Sequence, residues 1–218
     1  MAEPLSPRTV DVAPERLHRW LAGFTERHGA VDWSVDGARM IFSAADGSRA
    51  IFEPAFPPLP ANWQAGDAAF DRFVEHATRP RAFGVLLVRL GGYAAGVFDG
   101  VEWTASKVGS RQVHGRSAAG GWSQHRFARR REGQVRVALD AAVEAAVRIL
   151  VPVAPRLDAV VTGGDRQALR TVLGDVRLSA VAPLVVQRVL DVPDPKAKVL
   201  RDSLAACRAV RVTISEPQ

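Results

Sequence analysis

Residues 83–106 read Phe83-Gly-Val-Leu-Leu-Val-Arg-Leu90, Gly91-Gly92, Tyr93-Ala-Ala-Gly-Val-Phe98, Asp99-Gly100 and Val101-Glu-Trp-Thr-Ala-Ser106. Three strand-length runs are separated by two turn pairs, because Gly-Gly and Asp-Gly supply the positive φ angles of tight hairpins. The stretch therefore predicts three consecutive antiparallel strands. The first run is apolar almost throughout, where a strand with one wet face would alternate, so its sheet must be covered on both faces.

Working towards the C-terminus, Val135–Leu150 predicts a helix whose polar residues Arg136, Asp140, Glu144 and Arg148 recur every four positions as one narrow stripe, leaving most of the helix buried. Leu157–Thr162 is a candidate buried strand, followed by Gly163-Gly164-Asp165 and a helix through Leu173. Leu184–Leu190 and Val210–Ile214 read as further strands around a helix over Pro195–Cys207. Strands first, then alternating helices and strands, predict an α+β (α/β-like) domain over 82–218: a mixed sheet opening with three antiparallel strands, helices on its faces, in an RNase H-like arrangement.

Working towards the N-terminus, the pattern changes near Arg81. Leu17, Trp20, Leu21 and Phe24 fall at i, i+3, i+4 and i+7 after Pro14, giving a helix with one apolar face that Gly29 can end. Val31, Trp33 and Val35 alternate with polar residues. Asp36-Gly37 and Asp46-Gly47 then turn the chain into a short antiparallel meander. Pro54, Pro57, Pro58 and Pro60 forbid regular pairing, and Phe70, Phe73 and Val74 mark a short helix ending near Thr78. Residues 1–81 are thus expected to form a small helix/meander/helix unit.

With 47% hydrophobic and 24% charged residues the 218-residue chain has ordinary globular composition. It has no apolar run near the ~18–20 residues of a membrane span. The first residues lack the basic and apolar regions of a secretory signal, so a cytoplasmic location is expected and a membrane partner is not. Cys207 is the sole cysteine and reads as a small core residue.

The charge is unevenly placed. Twenty-nine basic and 23 acidic residues give +6 overall. Lys107, Arg111, Arg116, Arg126, Arg129, Arg130 and Arg131 supply seven positive charges, with no acid between them, so the rest of the chain carries −1. One segment, 107–131, therefore holds the whole net charge, as expected for a phosphate-rich partner. It contains Gly109, Gly115, Gly120 and Gly121 and little apolar periodicity, which predicts a long basic loop. The cations should track RNA with little sequence preference, and DNA is not an expected partner. Trp122 serves equally well as a stacking surface for a base or as an anchor for the loop.

Gly109-Ser110-Arg111-Gln112, Arg116, Gly120-Gly121, Ser123 and Arg129-Arg130 resemble the signature loop of the actinobacterial Vms-like release factors, and the resemblance extends over the element order from about Phe83 to Ile214. That family is similar in turn to the middle domain of eukaryotic and archaeal release factors. The resemblance implies a peptidyl-tRNA hydrolase that frees stalled nascent chains on the large ribosomal subunit in ribosome-associated quality control. Gln112 would be the catalytic glutamine with Gly109 beside it, the seven cations would contact ribosomal RNA and peptidyl-tRNA, and no cofactor or metal is implied. Ser110 stands where release factors have a second glycine, and no zinc finger, ankyrin repeats or segregase-binding tail accompanies the loop.

The chemistry suits these residues. Hydrolysing an aminoacyl ester within an RNA-built centre requires water held against the carbonyl and donors at the developing oxyanion, and a neutral amide orients water without adding charge. Gln124, after Gly120-Gly121, is a rival amide. Other enzyme classes fare worse. A two-metal nuclease needs converging carboxylates, whereas Phe83–Leu90 has none and Asp99, Asp158, Asp165 and Asp191 fall at expected element ends. No Gly-x-Ser-x-Gly elbow occurs, and Gly163-Gly164-Asp165 lacks the full glycine pattern and lysine of a nucleotide-binding loop. The alternative that uses the same cations is a non-catalytic ribosome- or RNA-binding module.

Overall fold

The computed structural model describes residues 7–63, 66, 68–110 and 123–216, with backbone alone for 123–131. The chain divides into two compact units, 1–79 with 205–218 and 80–204.

In the first unit, β1 (Arg8–Val12) leads through a 3-10 turn at Pro14–Arg16 into α1 (Leu17–His28), which Gly29 ends at φ 86°. The meander follows as β2 (Val31–Asp36), β3 (Arg39–Ala44) and β4 (Arg49–Glu53), turned by Gly37 and Gly47 at positive φ, and then α2 (Ala69–Thr78). The sheet order is β1-β10-β4-β3-β2, where β10 is Val210–Ser215, and every pairing is antiparallel. Its core is aromatic. Phe24, Phe42, Phe52, Trp63 and Phe73 are buried with Met40, Val212 and Ile214, and Phe42 and Phe70 each meet Phe52 edge-on at 5.2 and 5.8 Å.

β10 corrects the expectation that 82–218 forms one domain. Val210, Val212 and Ile214 are buried while Arg211, Thr213 and Ser215 are half-exposed, and this alternation fits a one-sided antiparallel sheet rather than a sheet covered on both faces. The strand accordingly pairs with β1 and β4, and 205–218 belongs with the first unit.

In the second unit, β5 (Ala82–Arg89), β6 (Gly92–Asp99) and β7 (Glu102–Ser110) are the three antiparallel strands expected. They continue into α3 (Ser123–Leu150), β8 (Ala159–Gly164), α4 (Arg166–Leu173), β9 (Val185–Leu190) and α5 (Ala197–Arg208), within which the division between the units falls. The order β7-β6-β5-β8-β9, antiparallel on one side of β5 and parallel on the other, is the mixed sheet of the expected α+β fold. Parallel neighbours need a long crossover, which α3 and α4 supply.

Both faces of this sheet are covered. Leu86, Val88, Ala95 and Val97 pack with Ala142, Ala146 and Leu150 of α3 and Leu169 of α4. On the opposite face Leu200 of α5 lies so close to Gly96 that a Cβ there would stand 2.8 Å from its Cδ2. Gly164 ends β8 at φ 101°, and Asp165 caps α4 by accepting from the Ala168 amide at 2.7 Å. The Gly163-Gly164-Asp165 motif is thereby a strand exit and helix cap.

The long basic loop is also corrected. Lys107–Ser110 form the last residues of β7, and Ser123–Arg131 the first turns of α3, which begins twelve residues before Val135. Helix propensity explains the extension, since arginine is among the better helix formers while Gly133 alone opposes it. The stripe Arg136, Asp140, Glu144 and Arg148 is exposed, and Ala138, Ala142, Val143, Ala145, Ala146 and Leu150 are buried.

Candidate functional site at the end of β7

β7 is the edge of the second sheet and pairs with β6 alone. Lys107 and Gly109 stand opposite Ala95 and Tyr93, and Ser110 opposite Gly92, so the ladder holds to the strand's last residue. A Cβ at Gly109 would lie 2.3 Å from the Tyr93 hydroxyl, which no side chain tolerates unless the ring moves. The expectation that Gly109 belongs to the basic loop is thus corrected. It is a paired strand residue, and glycine is required there by the tyrosine laid across it.

Two shallow grooves flank the strand end. One, about 400 Å³, lies on the α3 side and is lined by Tyr93, Lys107, Val137, Asp140, Glu144 and Arg148. The other, about 380 Å³, is lined by Gly91, Val108, Ser110, Asp194, Pro195 and Lys196. Each mixes charges of both signs, so neither by itself is a phosphate site. Farther along β7, Arg201 of α5 stacks on Trp103, its guanidinium 5.0 Å from the ring centroid.

The start of α3 carries the other described cations of the segment. Arg126, Arg129, Arg130 and Arg131 all fall within the first turns of α3. Gln124, the rival amide, belongs to the first turn of the same helix. Farther along, Arg177 donates to Glu144 of α3 and also to both carboxylate oxygens of Asp175 at 2.9 and 3.0 Å. These bonds hold the Asp175 carboxyl below its usual range and the Arg177 guanidinium above its own.

Arg111, Gln112, Arg116, Gly120, Gly121 and Trp122 lie outside the described residues. The segment that holds them leaves β7 after Gly109-Ser110 and enters α3 at Ser123, two elements of the same unit. The acids that a nuclease would use do not converge. Asp99 ends β6, Asp158 accepts from the Ala82 amide at 3.1 Å, Asp165 caps a helix and Asp191 follows β9. Among the described residues no group of three or more His, Cys, Asp or Glu side chains is placed to hold a metal ion, and no helix is long and apolar enough to cross a membrane.

The second unit thus belongs to a class of mixed α+β domains whose edge strand and longest helix bracket a basic, glycine-containing segment. Within that class, residues 81–213 match the family described as Actinobacteria/chloroflexi VLRF1 release factor, and the chain belongs to that family. No individually curated protein matches its sequence. Among solved structures, an archaeal translation termination factor, aRF1, is 15% identical with a TM-score of 0.44, over 94% of this chain and 66% of that one. A structure titled Vms1 mitochondrial localization core is 8% identical with a TM-score of 0.41, over 90% of this chain and 80% of that one. The chain thus spans about two thirds of the archaeal factor's length.

Proposed function

We propose that this release-factor-family protein hydrolyses the ester joining a stalled nascent chain to tRNA on the large ribosomal subunit, in cytoplasmic ribosome-associated quality control. The observation supporting this most directly is the family match across the whole basic segment, which is joined to β7 at one end and to α3 at the other. Gln112 follows a strand end fixed by eight paired β6/β7 positions, only two residues after the last of them. In this reading β7 and α3 carry the tip into the peptidyl transferase centre, and the Gln112 amide orients water against the ester carbonyl. Lys107, Arg111, Arg116 and the α3 arginines neutralise phosphates of ribosomal RNA and tRNA along the way.

The arginines at the start of α3 equally favour a second reading, a binding module without catalysis, because the same cations serve either. One assay separates them. Purified stalled large subunits carrying peptidyl-tRNA are incubated with wild type, Gln112→Ala or Gln124→Ala, and free nascent chain is measured. The expected result is a loss of roughly 10²–10³ in release rate for Gln112→Ala at unchanged subunit binding, the scale seen when one polar group aimed at a developing oxyanion is removed. Loss in Gln124→Ala instead moves catalysis to the start of α3. No release by the wild type supports the binding module.

A further inference from the structure

The first unit carries a second cationic surface that the charge distribution of the sequence hides. Between β1 and α1 runs a groove of about 450 Å³ lined by Arg8 of β1, by Arg16, Arg19 and Arg27, and by Trp20 and Gly23. All four arginines are exposed, and among the described residues none forms an ion pair. The one acid on the groove, Asp11, lies 3.9 Å from Arg211 of β10.

Two features of this groove work against the stability of the helix beneath it. Arg16 is the N-cap residue of α1 and Arg19 lies in its first turn, so both cations sit at the positive end of the helix dipole, and the one acid of the 3-10 turn leading into it, Glu15, pairs with Arg208 instead. Gly23 occupies the middle of the helix, where glycine is unfavourable relative to alanine, yet a Cβ built there meets nothing within 4 Å. Packing therefore does not ask for glycine at 23, nor helix electrostatics for arginine at 16 and 19. A ligand approaching the helix backbone closely and carrying negative charge accounts for both. Trp20 gives the groove a fixed apolar wall, held by stacking on Phe24 at 5.6 Å and by meeting Phe52 edge-on at 5.2 Å.

We propose that this groove is a second RNA-binding site, which seats the phosphodiester backbone of structured RNA independently of the basic segment at β7 and α3. The row from Arg16 to Arg27 extends about 16 Å along the helix at ~1.5 Å per residue. That is enough to follow several successive phosphates, where a single phosphate or a nucleotide would engage one or two arginines. Four cations strung along an open groove with a single acid predict recognition of the backbone without sequence preference.

The test is fluorescence anisotropy of a labelled RNA hairpin against the full chain over a salt series. It is run in wild type and in the Arg129→Ala/Arg130→Ala/Arg131→Ala background, so that the two cationic sites are read separately. Adding Arg16→Ala, Arg19→Ala and Arg27→Ala should flatten the slope of log affinity against log salt by about two to three and weaken binding about tenfold or more. Gly23→Leu should weaken binding while raising the melting temperature, opposite signs that a purely structural glycine cannot give. Unlabelled tRNA and a large-subunit rRNA hairpin serve as competitors, and displacement by either supports the site while telling which RNA it prefers. An unchanged slope, a Gly23→Leu variant that binds normally, or displacement by poly-glutamate as effective as by RNA overturns the proposal. Because the readout needs neither Gln112 nor a stalled subunit, it stands or falls apart from the hydrolase reading.

Discussion

Each unit is built on a five-stranded sheet, but the two sheets are buried by opposite means. The first is covered on one face by helices, its strands alternate between buried and exposed residues, and its interior is filled by rings packed edge to face. The second is covered on both faces, its central strands β5 and β8 are buried almost without interruption, and apart from the stacked pair Phe83 and Phe98 its interior is mostly Val, Leu and Ala closed down onto glycines. Aromatic rings fill a wide gap between two layers, whereas Gly84, Gly96 and Gly163 let helix and strand side chains approach a strand directly. The cores should therefore fail in opposite ways, the first by losing volume and the second by gaining it. The candidate hydrolytic segment leaves the edge of the second, where close packing fixes the strand.

The largest effect should come from emptying the aromatic core. Phe52 is fully buried against Phe42, Phe70 and Phe73, so Phe52→Ala should cost about 3–5 kcal/mol in urea denaturation. Gly96→Val, which overfills the second core against Leu200, should cost about 1–3 kcal/mol. A larger loss for Gly96→Val than for Phe52→Ala would break the contrast between the two cores.

A smaller effect sharpens the comparison at the site itself. Gly109→Ala should destabilise by about 1–2 kcal/mol, because the new Cβ collides with the Tyr93 ring. Tyr93→Ala in the same chain should recover most of that loss, giving a coupling of about 1 kcal/mol in a double-mutant cycle. Additive losses would show that Gly109 is needed for something other than space.

The smallest effect is electrostatic and lies at the surface. The Arg177 bonds to Asp175 lower that carboxyl's pKa on folding, so their contribution is present above the ordinary carboxylate value of about 4 and disappears as pH falls through the depressed folded value. The melting-temperature difference between wild type and Asp175→Asn should therefore be seen at neutral pH and vanish in acid. A difference independent of pH would show that the ionised carboxylate's pairing with Arg177 does not carry the effect.

Most of the second sheet was legible because its signals are local: turn residues that fall within one position of the hairpin turns at 90–91 and 100–101, an unbroken apolar strand, and a four-residue polar stripe on a helix. Strand partnership was not legible where it joins distant segments. Val210–Ile214 reads as a strand in isolation, but nothing near it says that its neighbours are residues 8–12 and 49–53, and β1 itself is five residues with two charges. The extent of α3 was hidden because arginine-rich sequence reads equally as loop or as exposed helix once no apolar period marks it. At the site, glycine suggested freedom, and only the register opposite Tyr93 reveals a packing requirement. The groove arginines escaped notice because acids elsewhere balance them in the sum, and helical spacing from 16 to 27 was their only signal.

The placement of β10 between β1 and β4 bears on how this protein is made. Residues 8–53 emerge from the ribosome early, yet their sheet lacks its second strand until residues 210–215 have been synthesised. Until then β1 has no partner and β4 offers an unpaired edge, the kind of exposed template on which chains aggregate. A copy cut short by a stall before β10 would carry that defect permanently. The first unit's sheet is therefore complete only once the strand at 210–215 has been made.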